Sequence, residues 1–214
     1  DTTAPVITAN QTLNYTENHA ASSSLGTVAA SDVSGVTGYR FSATGTSISA
    51  DGFFAINNSG VISLTSAGAA VGAATNDFET GANTFNLGVQ AIDASGNASP
   101  STNVTLNVTN LNEAPIVAPG AAVTSDEDQN YIFNWSDFKV SDIDNNSTLS
   151  VQIESIPVEG KLQVRNNGVW TDISGATTVS KAVIDAGGLR FVPESNESGN
   201  DSFNSIVPFT APAY

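Results

Sequence analysis

Apolar and polar residues alternate through the first half of the chain, and no stretch there holds a helical period. Phe85, Leu87, Val89 and Ala91 fall on one face of one predicted strand, and Val104, Leu106 and Val108 fall on one face of the next. That period of two is what a half-buried strand requires. Short runs of β-formers punctuated by Gly, Asn and Ser predict strands near 5–8, 12–15, 24–30, 38–44, 53–56, 61–64, 83–92 and 101–110. Asn57-Asn58-Ser59-Gly60, set between two such runs, is a hairpin signal. The segment 66–75 is too rich in Gly for a helix and reads as a loop.

The second half repeats this style. Tyr131 to Trp135 reads as a strand following an acidic turn, Asp126-Glu127-Asp128. Leu149/Val151/Ile153, Leu162/Val164 and Leu189/Phe191 alternate as strand faces, and Asn166-Asn167-Gly168 predicts a tight turn ahead of Val169-Trp170. Between the halves, the strand ending in Val108 runs into Asn110-Leu111-Asn112-Glu113-Ala114-Pro115, a set of oxygen-bearing side chains closed by Ala-Pro. The pattern predicts an all-β protein of two tandem Greek-key β-sandwich domains, 1–112 and 113–214. A chain of 214 residues suits two domains of about 100 residues each.

Charge sharpens this picture. There are 21 Asp+Glu against 6 Lys+Arg, a net charge of −15. Nucleic acid is therefore a poor partner, because phosphate binding needs basic patches. The acids gather at predicted strand ends, where mutual repulsion destabilises a compact state until cations neutralise it. Asn110, Asn112 and Glu113 put hard oxygen ligands on a short connection, which suits Ca²⁺. In a sandwich, alternate strand ends share a pole, so Glu17, Asp77-x-Glu79, Asn110 and Glu113 can converge there. Asp142-x-Asp144, in a loop of the second half, supplies the matching side of the joint. The chain has no Cys, so thiolate metal sites and disulfides are excluded, and a disulfide-free surface protein leans bacterial. No apolar run is long enough to insert in a membrane.

Tyr15-Thr16-Glu17-Asn18, Ala30-Ser31-Asp32, Asp77-Phe78-Glu79, Ala91-Ile92-Asp93-Ala94-Ser95-Gly96 and Asn110-Leu111-Asn112-Glu113-Ala114-Pro115 together resemble, in order and spacing, a cadherin repeat. The nearest flavour is the cadherin-like repeat of large bacterial calcium-dependent adhesins of the RTX type. The resemblance covers about the first half of the chain. It implies that Glu17, Asp77, Glu79, Asn110, the Leu111 carbonyl and Glu113 are calcium ligands, and that Asp32 and Asp93 face a preceding domain. Two departures remove charge: Ser34 stands where a second acid is expected, and Asn110 stands in place of Asp.

The function expected is that of a calcium-rigidified module of a cell-surface adhesin, spacing or presenting a ligand-binding region in adhesion or biofilm formation. Its partners would be neighbouring β-domains of the same long chain and a host-cell or surface ligand reached through another domain. Two alternatives stand beside it: direct ligand or glycan binding through Trp170 or nearby loops, and an accessory β-domain of a secreted polysaccharide-active enzyme. Catalysis by this chain is not expected. Its one histidine, His19, cannot build a triad needing a second imidazole, and no aromatic-lined cleft accompanies the paired acids. Trp135 and Trp170 read as half-buried sheet packing, and Asp126-Glu127-Asp128 as a solvated turn or, with Glu127 in the place of Glu17, as ligands for a further domain. Asp1, ahead of Thr3-Ala4-Pro5, reads as the tail of another joint. The second domain shows no counterpart of the last strand of the first beyond 201–207, which predicts completion by chain lying elsewhere.

Overall fold

A computed structural model of the protein describes residues 2–121, 123–124, 126, 128–144 and 149–195. Two compact units emerge, Asp1–Leu111 and Asn112–Tyr214.

In the first unit the strands are β1 (Val6–Ile7), β2 (Gln11–Thr16), β3 (Ser24–Thr27), β4 (Ala30–Ser31), β5 (Val36–Phe41), β6 (Phe54–Ile56), β7 (Val61–Leu64), β8 (Thr84–Asp93) and β9 (Thr102–Thr109). One sheet runs β2-β9-β8-β5, a second β3-β7-β6, and β1 pairs with β4. The predicted strand over 24–30 is broken in two: the chain leaves β3, where Gly26 marks a register shift, and re-pairs through β4 with β1. Strands β2 and β9 are parallel, which excludes an up-and-down order. Their register sets Thr12-Leu13-Asn14 beside Thr105-Leu106-Asn107, and the Asn107 amide donates to Asn14 Oδ1 at 3.0 Å.

The alternation seen in the sequence defines the core. Leu87, Val89 and Ala91 of β8 and Val104, Leu106 and Val108 of β9 are buried against Phe54 and Ile56 of β6 and Ile62 and Leu64 of β7. The hairpin between β6 and β7 turns at Asn57–Gly60, where Gly60 has φ +80° and a Cβ would lie 2.9 Å from the Val28 carbonyl oxygen. Only glycine meets both demands there.

The second unit comprises β10 (Ile116–Val117), β11 (Tyr131–Ile132), β12 (Val140–Ser141), β13 (Ser150–Ile153), β14 (Lys161–Asn166), β15 (Val169–Asp172), β16 (Thr177–Ser180), α1 (Lys181–Asp185) and β17 (Leu189–Val192). Among the described residues its sheets are β11-β17-β14-β15, β13-β16 and β10-β12. Phe133, Phe138, Val151, Leu162, Ile184 and Leu189 belong to its own core. The predicted strand over 131–135 stops at Ile132. The Asn134 N–H is taken by the Asp137 carboxylate at 2.8 Å, and a 3-10 turn opens at Trp135. The α1 turn was also absent from the predicted elements; Ser180 Oγ caps it by accepting from the Val183 N–H, and Gly187, at φ +67°, follows its end. The expected Asn167-Gly168 turn joins β14 to β15, with both residues at positive φ. The predicted strand 201–207 lies outside the described residues.

Candidate metal centre

Sheet topology decides which acids can meet. Because β2 and β9 are parallel, Glu17 and Asn110, which follow them, leave the sheet at the same end. Strand β8 is antiparallel to β9, so the loop carrying Asp77 and Glu79 enters at that end. Asp93 closes β8 at the opposite end, opposite Val36 of β5, with Asp32 four residues before that strand. The first unit therefore has an acidic group at each pole.

Glu17 organises the first pole. It is 97% removed from solvent, with 3% exposure, and each carboxylate oxygen accepts a backbone N–H: Phe78 on Oε2 at 2.7 Å and Leu111 on Oε1 at 2.8 Å. One side chain thus clasps the end of β2, the loop before β8 and the exit from β9. Glu79 stands beside it, with carboxylate oxygens of the two residues within 4.8 Å. Asn110 Nδ2 donates to Glu79 Oε1 at 3.1 Å. At this separation two carboxylates repel by on the order of 1 kcal/mol in water, and by several at lower effective permittivity. Asp77 Oδ1 is buried with no hydrogen-bond partner among the described residues. An orphaned buried carboxylate oxygen costs about 1–3 kcal/mol and calls for an unseen partner.

The second unit shows the same kind of arrangement on its own residues. Strand β10 pairs with β12 in the register Ile116↔Ser141, as β1 pairs with β4 in the register Val6↔Ser31. Asp142 therefore occupies the place that Asp32 holds in the first unit. Asp144 Oδ2 accepts the Glu113 N–H at 2.7 Å, while Asp142 Oδ1 is buried and unpartnered among the described residues. Asn112 Nδ2 donates to the Glu113 carbonyl at 3.0 Å. Asp1 and Glu127 lie outside the described residues, and Asp126 and Asp128 are exposed.

The donor set fits a hard cation. Every candidate ligand offers oxygen, Asp77 and Asp142 each have an oxygen to give, and both Glu17 oxygens keep a second lone pair beyond the backbone N–H they accept. Asn110 departs from this set: its amide nitrogen faces Glu79, and an ion would require the amide turned so that its oxygen points inward.

At the far pole Asp93 has 2% exposure. Its Oδ1 accepts the Ser95 and Asn97 N–H groups, each at 2.8 Å, and its Oδ2 accepts the Asn97 amide at 2.8 Å. Desolvation pushes the carboxyl up, but the hydrogen bonds from Asn97, Ser95 and Gly96 together outweigh it and hold Asp93 below the usual carboxylate range. A depressed folded-state value means that its stabilisation is present above about pH 4 and is lost as the pH falls through the folded value. Replacing Asp93 with Ala should lower the melting temperature of the first unit at pH 7 and shrink this acid-side fall, as a melting series between neutral and acid pH would show. Asp32 is simpler: its Oδ1 accepts the Ser34 N–H at 2.7 Å, and Ser34 adds no second charge.

Several residues that shape the site carry no acid and were not singled out from the sequence. The Tyr15 hydroxyl, pushed up by burial, donates to the Thr75 carbonyl at 2.7 Å. Asn76 accepts the His19 N–H at 2.7 Å and donates back to the His19 carbonyl, and Thr75 Oγ1 donates to the Gly68 carbonyl. These bonds pin the Ala/Gly-rich loop so that Asp77 and Glu79 arrive beside Glu17. The sequence signal was a polar Thr-Asn pair inside a run of small residues. His19, read as solvated, is half-buried and meets the Tyr15 ring edge-on at 6.1 Å.

No protein-family model matches the chain, and no curated protein matches it. Solved structures do. Human protocadherin-24 EC1-2 (form II) is similar with a TM-score of 0.50 and 18% identity, over 82% of this chain and 79% of that one. Protocadherin gamma B7 extracellular cadherin domains 1-4 gives 0.44 at 14% identity over 84% of this chain, and Drosophila N-cadherin EC1-4 gives 0.41 at 16% over 94%. The chain spans 42% and 43% of the length of those two chains. The fold is thus cadherin-like: all-β, in tandem β-sandwich units.

Proposed function

We propose that this chain is a calcium-rigidified module of a long extracellular adhesin. Its domains, 1–112 and 113–214, would be successive links of a bacterial surface protein of the RTX type that holds a ligand-binding region away from the cell. The observation that supports this most is the clasp at Glu17: a buried carboxylate tying three segments, a second carboxylate within 4.8 Å, and an orphaned Asp77 oxygen alongside. Such a cluster is strained by its own charge without a cation and satisfied with one. In this reading Glu17, Asp77, Glu79, Asn110, the Leu111 carbonyl and Asn112 supply oxygens from the first domain, and Glu113, Asp142 and Asp144 supply them from the second. Asp1, Asp32 and Asp93 would serve a preceding neighbour. A bound Ca²⁺ contributes two positive charges and 6–8 oxygen bonds, which makes a hinge into a strut. The protein's own residues fix the geometry, because Glu17 already holds the loop and the strand exit together.

Charge-removing substitutions on each side of the joint test this directly. Glu79→Ala and Asp144→Ala should each weaken calcium binding at least tenfold and widen the interdomain distribution seen by small-angle scattering in calcium. Asp185→Ala should do neither, because Asp185 is engaged with Lys181 in a surface i,i+4 pair worth about 0.3–0.5 kcal/mol. Equal, small effects from all three would mean that bulk acidity, not geometry, governs the response.

A further inference from the structure

The outer face of the β11-β17-β14-β15 sheet carries charge of the opposite sign to the rest of the chain. Register places Gln163 opposite Asp172 and Arg190, and Arg165 opposite Trp170, so these side chains share one face with Lys161. Lys161, Arg165 and Arg190 are half of the 6 cationic residues in a chain of net charge −15. Lys161 is paired with Asp172 at 3.2 Å. The two arginines are not paired with any carboxylate among the described residues, although 21 acids are available in the chain.

Both guanidiniums are instead arranged around an aromatic plate. Arg190 lies 4.1 Å from the centre of the Trp170 ring and Arg165 lies 5.9 Å from it. Arg190 Nε donates to Gln163 Oε1 at 2.8 Å, and Gln163 in turn donates to Asp172. These contacts fix the guanidinium and leave its terminal N–H groups without a partner among the described residues, so the ordering cost of gripping an anion has largely been met in advance. Arg165 is exposed, and Trp170 and Arg190 are half-buried.

The geometry points to a binding site for a carboxylated sugar unit of an acidic polysaccharide. The two arginines would take the carboxylate by charge-assisted forks. Asp172 and Gln163 would take hydroxyls, and the exposed part of Trp170 would lie against the C–H face of the ring. Asp172 decides between acidic ligands. Already held by Lys161 and Gln163, it gains no hydrogen bond from a peptide side chain that offers a carboxylate alone, whereas its remaining lone pairs accept from a ligand bearing hydroxyl donors beside its carboxylate. The rest of the acidic surface does not forbid this, because charges more than about 8 Å away are largely screened at physiological salt.

The test uses the intact chain carrying Trp135→Phe, so that Trp170 is the sole tryptophan, with oligogalacturonate as probe in calcium-free buffer. Saturable change of Trp170 fluorescence is expected, weakening with added salt, with no response to a neutral oligosaccharide of the same length. Arg165→Gln with Arg190→Gln should weaken binding at least tenfold at an unchanged melting temperature. If the double variant melts early, the exposed Arg165→Gln alone should still weaken binding severalfold. No saturable response, or equal binding by a folded variant, would overturn the assignment. Oligoglutamate binding as tightly as oligogalacturonate would also overturn it, in favour of an acidic peptide.

Discussion

Millimolar calcium added to the chelator-treated chain is expected to raise its melting temperature by roughly 10 °C or more. A ligand at 100 times its dissociation constant stabilises the folded state by about 2.7 kcal/mol per site. For units of about 100 residues each kcal/mol is worth about 4–8 °C. The gain has a local source, namely relief of repulsion between Glu17 and Glu79 and partnering of the orphaned Asp77 oxygen. Magnesium should give a smaller shift, because it demands tighter octahedral geometry and gives up its waters reluctantly. Sodium chloride at equal ionic strength should give less still, which separates coordination from screening of the −15 net charge. Equal melting curves in calcium and in chelator would contradict the calcium reading.

Replacing Glu17 with alanine should be the most damaging single change at the site, even before calcium is added. It strands the Phe78 and Leu111 N–H groups, whose bonds to a charged acceptor are of the kind worth about 1.5–3 kcal/mol each. A net loss of about 2–4 kcal/mol is expected, or on the order of 10 °C in the melting temperature of the first unit, together with loss of calcium binding there. Glutamine should rescue little of this, since one of its two ends would present a donor to a backbone N–H. Glu79→Ala should behave differently, sparing the apo fold while impairing binding, because Glu79 accepts from the Asn110 side-chain amide whereas Glu17 accepts the backbone N–H groups of two separate segments. Denaturant melts of both variants, with and without calcium, separate a structural clasp from a ligand. Identical profiles for the two would contradict that division of roles.

The period-2 runs at Phe85–Ala91 and Val104–Val108 were legible because their inward residues are the core itself, and the Asn57–Gly60 and Asn167–Gly168 turns were legible because only residues tolerant of positive φ fit them. Local hydrogen bonding hid the rest. Trp135 looked like a strand residue by β propensity, yet Asn134 and Asp137 cap one another and start a turn. Ala30 looked continuous with the strand before it, although β4 pairs with β1 and β3 with β7. At the candidate site the acids were visible as residues at strand ends. What was not visible is that Glu17 spends both carboxylate oxygens on backbone N–H groups before any ion arrives, or that Tyr15, Thr75 and Asn76 deliver the Asp77–Glu79 loop. Those contacts join residues some 60 and 94 positions apart in the chain, and no local pattern encodes them.

The most direct test of the central claim is isothermal titration of calcium into the chelator-treated chain, run beside Glu17→Ala and Glu79→Ala. The account predicts saturable binding of at least one ion per chain by the millimolar range typical of extracellular modules, weakened at least tenfold in both variants. Absence of saturable binding up to millimolar calcium, or binding unchanged by both substitutions, would contradict it.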